Sequence, residues 1–227
     1  LDAGHVFKTG TDSEVLLHGY EQWGEDLLQR LRGMFAFVIW DSREQKLFGA
    51  RDIFGIKPFY YYQHNGDVFY GSEIKSFLAH PNFGKELNEE RLPEYLCYEY
   101  VPDEETMFRH VYKLLGGHCF TYQNGKLSIR PYNEIQYHID EKPTLEEWEK
   151  RITDTFAESV RAHKIADVEV GCFLSSGVDS SYVVKEVSKT ADGVKTFSVG
   201  YAEEKYSELP YAQDFSKAVG VPNISNK

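Results

Sequence analysis

The sequence is poor in the features that mark secreted, membrane-spanning and nucleic-acid-binding proteins. It has three cysteines, Cys97, Cys119 and Cys172, an odd number with no Cys-x-x-Cys pair, which favours reduced thiols packed as small core residues. No apolar run approaches the roughly 18 residues of a membrane span. With 25 basic and 36 acidic residues, the net charge is −11, which is unfavourable for binding nucleic acid. We therefore expect a cytoplasmic protein with no nucleic-acid partner and no membrane association.

The sequence also lacks the marks of a complete chain. It begins with Leu1, has neither an initial Met nor a signal peptide, and stops at "VPNISNK", which we interpret as a piece of something longer. Its 227 residues are enough for one large domain or two small ones, and 41% hydrophobic with 15% aromatic residues indicates packed cores rather than disorder.

The first part of the chain has the pattern of antiparallel strands. Three segments consist of two strand-like runs joined by a turn, namely 34–52, 59–73 and 117–132. Asn65-Gly66 and Asn124-Gly125 mark two of these turns, because this dipeptide adopts the positive φ angles of tight hairpins at little cost. We therefore predict three β-hairpins.

A helix is predicted ahead of the hairpins, over "TDSEVLLHGYEQWG". Thr11 and Glu14 have the spacing of a capping box, in which each side chain accepts a hydrogen bond from the other residue's backbone N–H. Gly24 is the predicted end of this helix. The first part is therefore expected to be a mixture of antiparallel strands and helices.

The pattern changes near residue 140. The polar segment "NEIQYHIDEKP" (133–143) is typical of a linker. After it come, in alternation, helix 144–163, strand 168–174, helix 180–189, strand 195–201 and helix 207–219. This alternation predicts a parallel, doubly wound sheet, and we expect two domains, residues 1–138 and 144–227.

The segment "LSSGVDSS" (174–181) lies between a predicted strand and a predicted helix. Such a turn presents free backbone N–H groups and the positive end of the helix dipole, which together favour an anion. Neither G-x-x-x-x-G-K-[ST] nor G-x-G-x-x-G occurs in the chain. Gly177 would let the backbone approach a phosphate, and Asp179 would hold Mg²⁺ against pyrophosphate oxygens. On these residues alone, an ordinary tight helix N-cap remains an equal alternative.

The loop resembles the S-G-G-x-D-S loop of the ATP pyrophosphatases, with Ser176 where Gly is usual. In the first part, "GMFAFVIWD", "GARDIFGIKPFYY" and "YGSEIKSF" resemble successive strands of a class II glutamine amidotransferase domain. In this order, the two parts resemble the glutamine-hydrolysing asparagine synthetases. The resemblance implies an α+β N-terminal-nucleophile-type sandwich, here incomplete, followed by the start of an α/β doubly wound parallel-sheet ATP-pyrophosphatase domain.

The resemblance also implies roles for individual residues. Asp12 is the expected contact for the α-ammonium group of glutamine, with helix capping as the structural alternative. The expected ATP-binding residues are Phe173, Leu174, Ser175, Ser176, Gly177, Asp179, Ser180, Ser181 and Val199, and Asp179 is the expected magnesium ligand. For Phe173, Leu174 and Val199, burial in the sheet core is the alternative. Arg51 and Asp52 are expected to form a structural ion pair, and Glu73 to be a positioning residue.

The implied reaction is the synthesis of asparagine from aspartate and ATP through β-aspartyl-AMP, with ammonia from glutamine. The cofactors would be ATP and Mg²⁺, and the family tends towards homodimers. The family nucleophile is an N-terminal Cys, which would precede Leu1, so no catalytic residue and no glutaminase activity are expected in the chain as given. The alternatives are another adenylating enzyme of the β-lactam synthetase or lasso-peptide cyclase type, or a non-catalytic fragment.

Overall fold

A computed structural model describes residues 4–189, 193–203, 205 and 207–226. The chain divides into two compact units, Leu1–Tyr137 and His138–Lys227. None of the described helices is long and apolar enough to cross a membrane.

The first unit is built on antiparallel strands. They are β1 (Ala36–Asp41), β2 (Lys46–Arg51), β3 (Tyr60–His64), β4 (Asp67–Gly71), β5 (Val111–Lys113), β6 (His118–Gln123) and β7 (Lys126–Pro131). One sheet has the strand order β1-β2-β6-β7, and a second has the order β4-β3-β5. All three predicted hairpins are confirmed, as β1–β2, β3–β4 and β6–β7. Strand β5 was not predicted, because three residues are too few to show a period.

The Asn-Gly turns have the predicted backbone conformation. Asn65 and Gly66 have φ angles of 51° and 87°, and Asn124 and Gly125 have φ angles of 53° and 76°. Two consecutive residues with positive φ match the right-handed twist of the strands that they join. The turn chemistry therefore sets the register of both hairpins.

Helix α1 (Asp12–Trp23) is present where it was predicted and ends at Gly24, whose φ is 58°. The predicted capping box is wrong: the Thr11 side chain makes no capping hydrogen bond. The Glu14 carboxylate instead accepts the backbone N–H groups of Lys8 and Thr9, each at 2.7 Å. Charge-assisted hydrogen bonds to two N–H groups outweigh a single capping bond, so the chain before the helix folds back onto Glu14.

Helix α2 (Leu92–Tyr98) has Pro93 in its first turn, where the missing N–H is harmless. None of its residues is buried, so the prediction that Cys97 packs in a core is wrong. Cys119 and Cys172 are buried, as predicted. Burial raises the pKa of both thiols, which keeps them protonated and unreactive.

The second unit is a small parallel sheet with helices. Its elements in chain order are α3 (Leu145–His163), β8 (Cys172–Phe173), α4 (Val178–Ser188), β9 (Thr196–Val199), α5 (Leu209–Ala218) and β10 (Asn223–Asn226). The strand order is β10-β9-β8, with both pairs parallel. The predicted alternation is confirmed, but the strand expected over 168–174 is only two residues long, and β10 was not predicted. Helix α3 begins with a complete capping box between Thr144 and Glu147.

The core of the second unit fixes the position of the loop after β8. The buried apolar cluster contains Val160, Cys172, Leu174, Val184, Val187, Val194, Ala212 and Val221. Leu174, which begins the loop, is only 3% exposed. Each such buried aliphatic side chain contributes about 1.5–3 kcal/mol. The loop therefore starts from an anchored residue.

Candidate functional site

The loop after β8 is attached to the neighbouring strand at its first residue. The Leu174 N–H donates to the Phe197 carbonyl at 2.9 Å, which extends the parallel pairing by one residue. The Ser198 hydroxyl donates to the Leu174 carbonyl at 2.7 Å. Both backbone groups of Leu174 are thus satisfied by β9, and the loop leaves the sheet in a defined direction.

Hydroxyl groups organise the loop itself. Ser175 Oγ and Ser180 Oγ lie 2.9 Å apart, and the Gly177 N–H donates to Ser175 Oγ at 3.1 Å. The Ser180 hydroxyl donates to the Gly177 carbonyl at 3.1 Å, and the Ser181 N–H donates to the same carbonyl at 3.2 Å as α4 begins. The hydroxyl groups of Ser175 and Ser180 therefore bind one another and the backbone of the loop.

Ser176 fits its position without strain. The residues with positive φ other than glycine do not include Ser176, so a side chain at this point costs the backbone nothing. Gly177 has a φ of −72°, and a Cβ atom added to it would lie 3.3 Å from Ser175 Oγ. The absence of a side chain at Gly177 therefore matters for space rather than for φ.

Glu208 reaches the loop from the start of α5. Its Oε2 atom accepts the Ser176 N–H at 3.1 Å. A carboxylate thus occupies a backbone donor next to a helix N-terminus, where an anion is favoured. The sequence analysis missed Glu208, because 32 residues separate the partners and no local pattern connects them.

The loop borders a cleft of about 270 Å³. Its lining is formed by Phe173, Leu174, Ser175, Ser180, Phe197, Ser198, Val199, Glu208, Leu209 and Ala212. Five of the predicted nucleotide residues are among them: Phe173, Leu174, Ser175, Ser180 and Val199. Ser176, Gly177, Asp179 and Ser181 belong to the same loop and helix start but do not line the cleft.

Of the three apolar residues predicted to contact the nucleotide, two are exposed rather than buried in the core. Phe173 is 86% exposed and Val199 is 75% exposed, so the alternative of burial in the sheet core is wrong for both. It is correct for Leu174. Large apolar side chains exposed at the carboxyl ends of parallel strands are well placed to contact a flat ligand, which is where ligands bind in such sheets.

Asp179 lies in the first turn of α4 and is exposed. Among the described residues, its carboxylate has no hydrogen-bond partner. An unpaired carboxylate at the start of a helix offers hard oxygen ligands, which suit Mg²⁺. The chemistry of this donor fits the predicted ion.

A second loop, residues 52–57 of the first unit, follows β2 and is held quite differently. The Arg51 guanidinium donates to the carbonyls of Gly55, Lys57 and Leu114, each at 2.6 Å. Asp52 is 1% exposed and accepts the N–H groups of Ile56 at 2.9 Å and Lys57 at 3.0 Å. Burial lowers the pKa of Arg51.

The predicted ion pair between Arg51 and Asp52 is wrong. Within the described part of the chain, no salt bridge joins the two side chains. Adjacent residues at the end of a strand direct their side chains to opposite faces, so each instead binds the backbone of the loop.

Asp12 and Glu73 are both exposed. The Asp12 carboxylate accepts a hydrogen bond from the Ser13 hydroxyl at 3.5 Å and has no other side-chain partner among the described residues, so it is available to an external cation. Glu73 precedes a 3₁₀ turn, Ile74–Ala79, and pairs with the ammonium of Lys75. Their roles in binding glutamine stay predictions.

Two family patterns match the chain, in the order that the motifs indicated. Residues 1–133 match the glutamine amidotransferase domain, and residues 151–226 match asparagine synthase. The chain therefore belongs to the glutamine amidotransferase domain family. The resemblance drawn from the motifs is confirmed.

The relatives agree with these matches. The chain is 38% identical over 226 residues to glutamine-hydrolyzing asparagine synthetase 1 of Bacillus subtilis (strain 168), covering 98% of this chain and 35% of that protein. It is 35% identical over 192 residues to amidase chry2 of Gibberella zeae, covering 80% of this chain and 27% of that protein. The chain thus spans about a third of the length of the curated relatives that it matches.

Among solved structures, the chain is similar to glutamine phosphoribosylpyrophosphate amidotransferase from B. subtilis in complex with ADP and GMP. The TM-score is 0.40 at 14% identity, covering 99% of this chain and 41% of that chain. A score this low does not define the fold, so the family assignment rests on the sequence matches.

Proposed function

We propose that the whole protein synthesises asparagine from aspartate and ATP, with ammonia taken from glutamine. One observation carries this proposal: the serine-lined loop 174–181 opens onto a cleft at the carboxyl end of a parallel sheet, in a chain whose first unit belongs to the glutamine amidotransferase family. The name of the Bacillus relative supports aspartate as the acid that is amidated.

The reaction has two steps in the second unit. A β-carboxylate oxygen of aspartate attacks the α-phosphorus of ATP, and pyrophosphate leaves with the bonding electrons. Ammonia then attacks the carbonyl carbon of the β-aspartyl-AMP, and AMP leaves. Because water would compete for the same carbonyl, the acyl-adenylate has to be kept from bulk solvent.

The loop contributes positioning and charge stabilisation. Free N–H groups at the start of α4, the hydroxyls of Ser175, Ser180 and Ser181, and the helix dipole would bind the pyrophosphate oxygens as negative charge develops there. Asp179 would hold Mg²⁺, which neutralises charge on the leaving pyrophosphate. Gly177 would keep the space next to these oxygens clear.

The exposed apolar residues would hold the nucleoside. Phe173 and Val199 stand at the ends of β8 and β9, where a base would find both apolar surface and free backbone groups. Leu174 would support this surface from the core. Ser176 would bind a phosphate oxygen through its N–H once the Glu208 carboxylate leaves it.

The decisive test replaces Asp179 with Asn in the whole protein and measures aspartate-dependent pyrophosphate release. We expect a loss of at least ~30-fold, about 2 kcal/mol of transition-state stabilisation, with glutamine hydrolysis retained. Asp167→Asn, which removes an equal charge from an exposed position of the same unit, is the matched control and should leave the rate unchanged. Pyrophosphate release that survives Asp179→Asn would remove the loop from the mechanism.

In the first unit, Asp12 is our candidate for the partner of the glutamine α-ammonium group. Asp12→Asn should raise the glutamine KM by ~10-fold or more, since a charge-assisted contact of ~1.5–3 kcal/mol is lost. Ammonia-dependent synthesis should be spared, because the contact belongs to glutamine binding alone. An equal fall in both activities would mean that Asp12 stabilises α1 rather than binding glutamine.

A second candidate differs only in the acid acceptor. A relative named as an amidase matches 80% of the chain, which shows that differently named enzymes share much of this sequence. The second candidate is therefore another adenylating enzyme, of the β-lactam synthetase or lasso-peptide cyclase type. Pyrophosphate release measured over a panel of amino acids and other carboxylic acids distinguishes the two. Release with aspartate alone supports asparagine synthesis.

The remaining parts of the proposal concern setting and assembly. The division of the chain at Tyr137 supports an amidotransferase domain over 1–138 and a synthetase domain over 144–227. Free thiols at Cys119 and Cys172 support a cytoplasmic location. We propose a homodimer on the family resemblance, which sedimentation of the whole protein tests.

A further inference from the structure

Three metal-binding side chains converge in the first unit, outside both loops. His5 lies in the segment before α1, and His18 and Glu21 are one turn apart on that helix. His5 Nδ1 and His18 Nδ1 are 3.2 Å apart. Glu21 Oε2 is 3.2 Å from His18 Nδ1 and 3.7 Å from His5 Nδ1. Three potential ligand atoms thus lie within 4.8 Å of one another.

The opposite ring nitrogen of each histidine faces an oxygen atom. His5 Nε2 lies 3.1 Å from the amide oxygen of Gln22, and His18 Nε2 lies 3.5 Å from a carboxylate oxygen of Glu14. Each of these oxygens can accept a hydrogen bond, so each Nε2 atom has a partner of its own. In the tautomer with a proton on Nε2, the two Nδ1 atoms are left to bind a metal ion together with the Glu21 carboxylate.

In the tautomer with both Nε2 atoms protonated, this convergence favours a positive charge at its centre. Three acceptor atoms within 3.7 Å would repel one another, and either a metal ion or a shared proton between them relieves that repulsion. Glu14 and Glu21 add negative charge on the same side of the helix. Phe7 packs edge-on against the His18 ring, with centroids 4.8 Å apart, and His18 is half-buried.

The distances select the class of ion. Bonds of ~2.0–2.1 Å to imidazole nitrogen and ~2.0–2.2 Å to carboxylate oxygen place the ligand atoms of a tetrahedral zinc site ~3.3–3.5 Å apart. The observed separations of 3.2, 3.2 and 3.7 Å bracket that value. Two imidazoles exclude Mg²⁺ and Ca²⁺, which take oxygen ligands.

We propose that His5, His18 and Glu21 bind a divalent transition-metal ion of the zinc class, with Gln22 and Glu14 orienting the two imidazoles. The fourth position is open to water. Outer partners of this kind hold each ring in the tautomer and orientation that the metal needs. The site is separate from the proposed reaction and does not depend on it.

The ion would join the segment before α1 to the helix. His5 would be held through the metal, while the Glu14 carboxylate already holds Lys8 and Thr9 in the same segment. An ion that binds only the folded state stabilises it in proportion to its concentration relative to the dissociation constant. The site would therefore stabilise the start of α1.

The test is titration of the metal-free protein with Co²⁺, followed by visible absorption. We expect about one Co²⁺ per chain with the intense bands of a four-coordinate site, displaced by Zn²⁺, and a Zn²⁺-dependent rise in Tm. His5→Ala should abolish the bands, and Gln22→Leu should weaken the affinity ~10-fold or more. His138→Ala, at an exposed histidine outside the cluster, should change nothing.

Three results would overturn the site. One is the absence of stoichiometric Co²⁺ binding to the wild-type chain, which would mean that a shared proton bridges the histidines. Another is binding that persists in both His5→Ala and Glu21→Ala. The third is loss of binding in His138→Ala, which would place the ion elsewhere. Because His5 lies outside the helix, His5→Ala remains informative even if His18→Ala fails to fold.

Discussion

The two loops that follow β2 and β8 make opposite use of their polar groups. In loop 52–57, charged side chains from the end of the strand bind the loop's own backbone, and Asp52 is buried under it. In loop 174–181, serine hydroxyls bind one another, and Asp179 points its charge into solvent. The first loop has its polar groups satisfied internally, whereas in the second the Asp179 carboxylate has no hydrogen-bond partner among the described residues and the loop borders a cleft.

This difference distinguishes a scaffold from a binding site. A buried carboxylate that accepts two backbone N–H groups is costly to remove and has no capacity left for a ligand. Hydroxyls that bind one another weakly can exchange partners when an anion arrives. Glu208 strengthens this contrast. The Ser176 N–H already donates a hydrogen bond to the Glu208 carboxylate, which shows that this N–H group can bind an anion.

The largest expected effect is the difference in stability loss when an Asp is replaced by Asn in each of the two loops. Asp52→Asn should reduce the free energy of unfolding by about 3 kcal/mol, because it removes the charge and presents an NH₂ group to a buried backbone N–H. Asp179→Asn should change it by less than ~0.5 kcal/mol. Urea unfolding of the first unit, followed through Trp23 and Trp40 in a Trp148→Phe background, measures the effect of Asp52→Asn. Unfolding of the second unit, followed through Trp148 with Trp23 and Trp40 replaced by Phe, measures the effect of Asp179→Asn. Equal losses at the two positions would contradict the comparison.

An intermediate effect is expected at Glu208. Glu208→Gln keeps the size of the side chain but removes the anion that competes for the Ser176 N–H. The affinity for pyrophosphate or ATP should therefore rise ~3- to 10-fold, up to about 1.4 kcal/mol, as measured by calorimetry. Glu203→Gln, an exposed acid before the same helix, is the control for net charge. A fall in affinity would mean that Glu208 binds the nucleotide or its metal.

The smallest effect concerns Glu14, which binds two backbone N–H groups as Asp52 does, but at a partly exposed position. The Thr9 hydroxyl and the N–H groups of Lys8 and Thr9 lower the pKa of Glu14 from 4.5 to about 2. A carboxyl with a depressed pKa stabilises the folded state above pH ~4.5, and this contribution is lost as the pH falls towards 2.

Amide hydrogen exchange at Lys8 and Thr9 measures this effect. Protection should fall between pH ~4.5 and 2 once the intrinsic pH dependence of exchange is removed. Glu14→Gln should have weak protection at every pH. Protection that does not change over this interval would show that the segment is held by other contacts.

Local chemistry explains what the sequence predicted and what it did not. The Asn-Gly turns and the small-residue turn at 174–181 were predicted because their backbone requirements are met by the residues themselves. Glu208 was missed because its contact spans 32 residues. The predicted ion pair between Arg51 and Asp52 was wrong because neighbouring residues at the end of a strand direct their side chains to opposite faces. Strands β5 and β10 are too short to have a readable period.

The apolar mouth of the cleft has a thermodynamic consequence. Phe173 and Val199 are exposed, so this stretch of the chain presents an apolar surface that the core of the second unit does not cover. Covering a Phe side chain contributes about 1.5–3 kcal/mol, and the water released makes the heat capacity of the complex lower than that of its parts. A plot of the logarithm of the binding constant for a flat ligand against reciprocal temperature would therefore be curved. The binding enthalpy would become more favourable as the temperature rises.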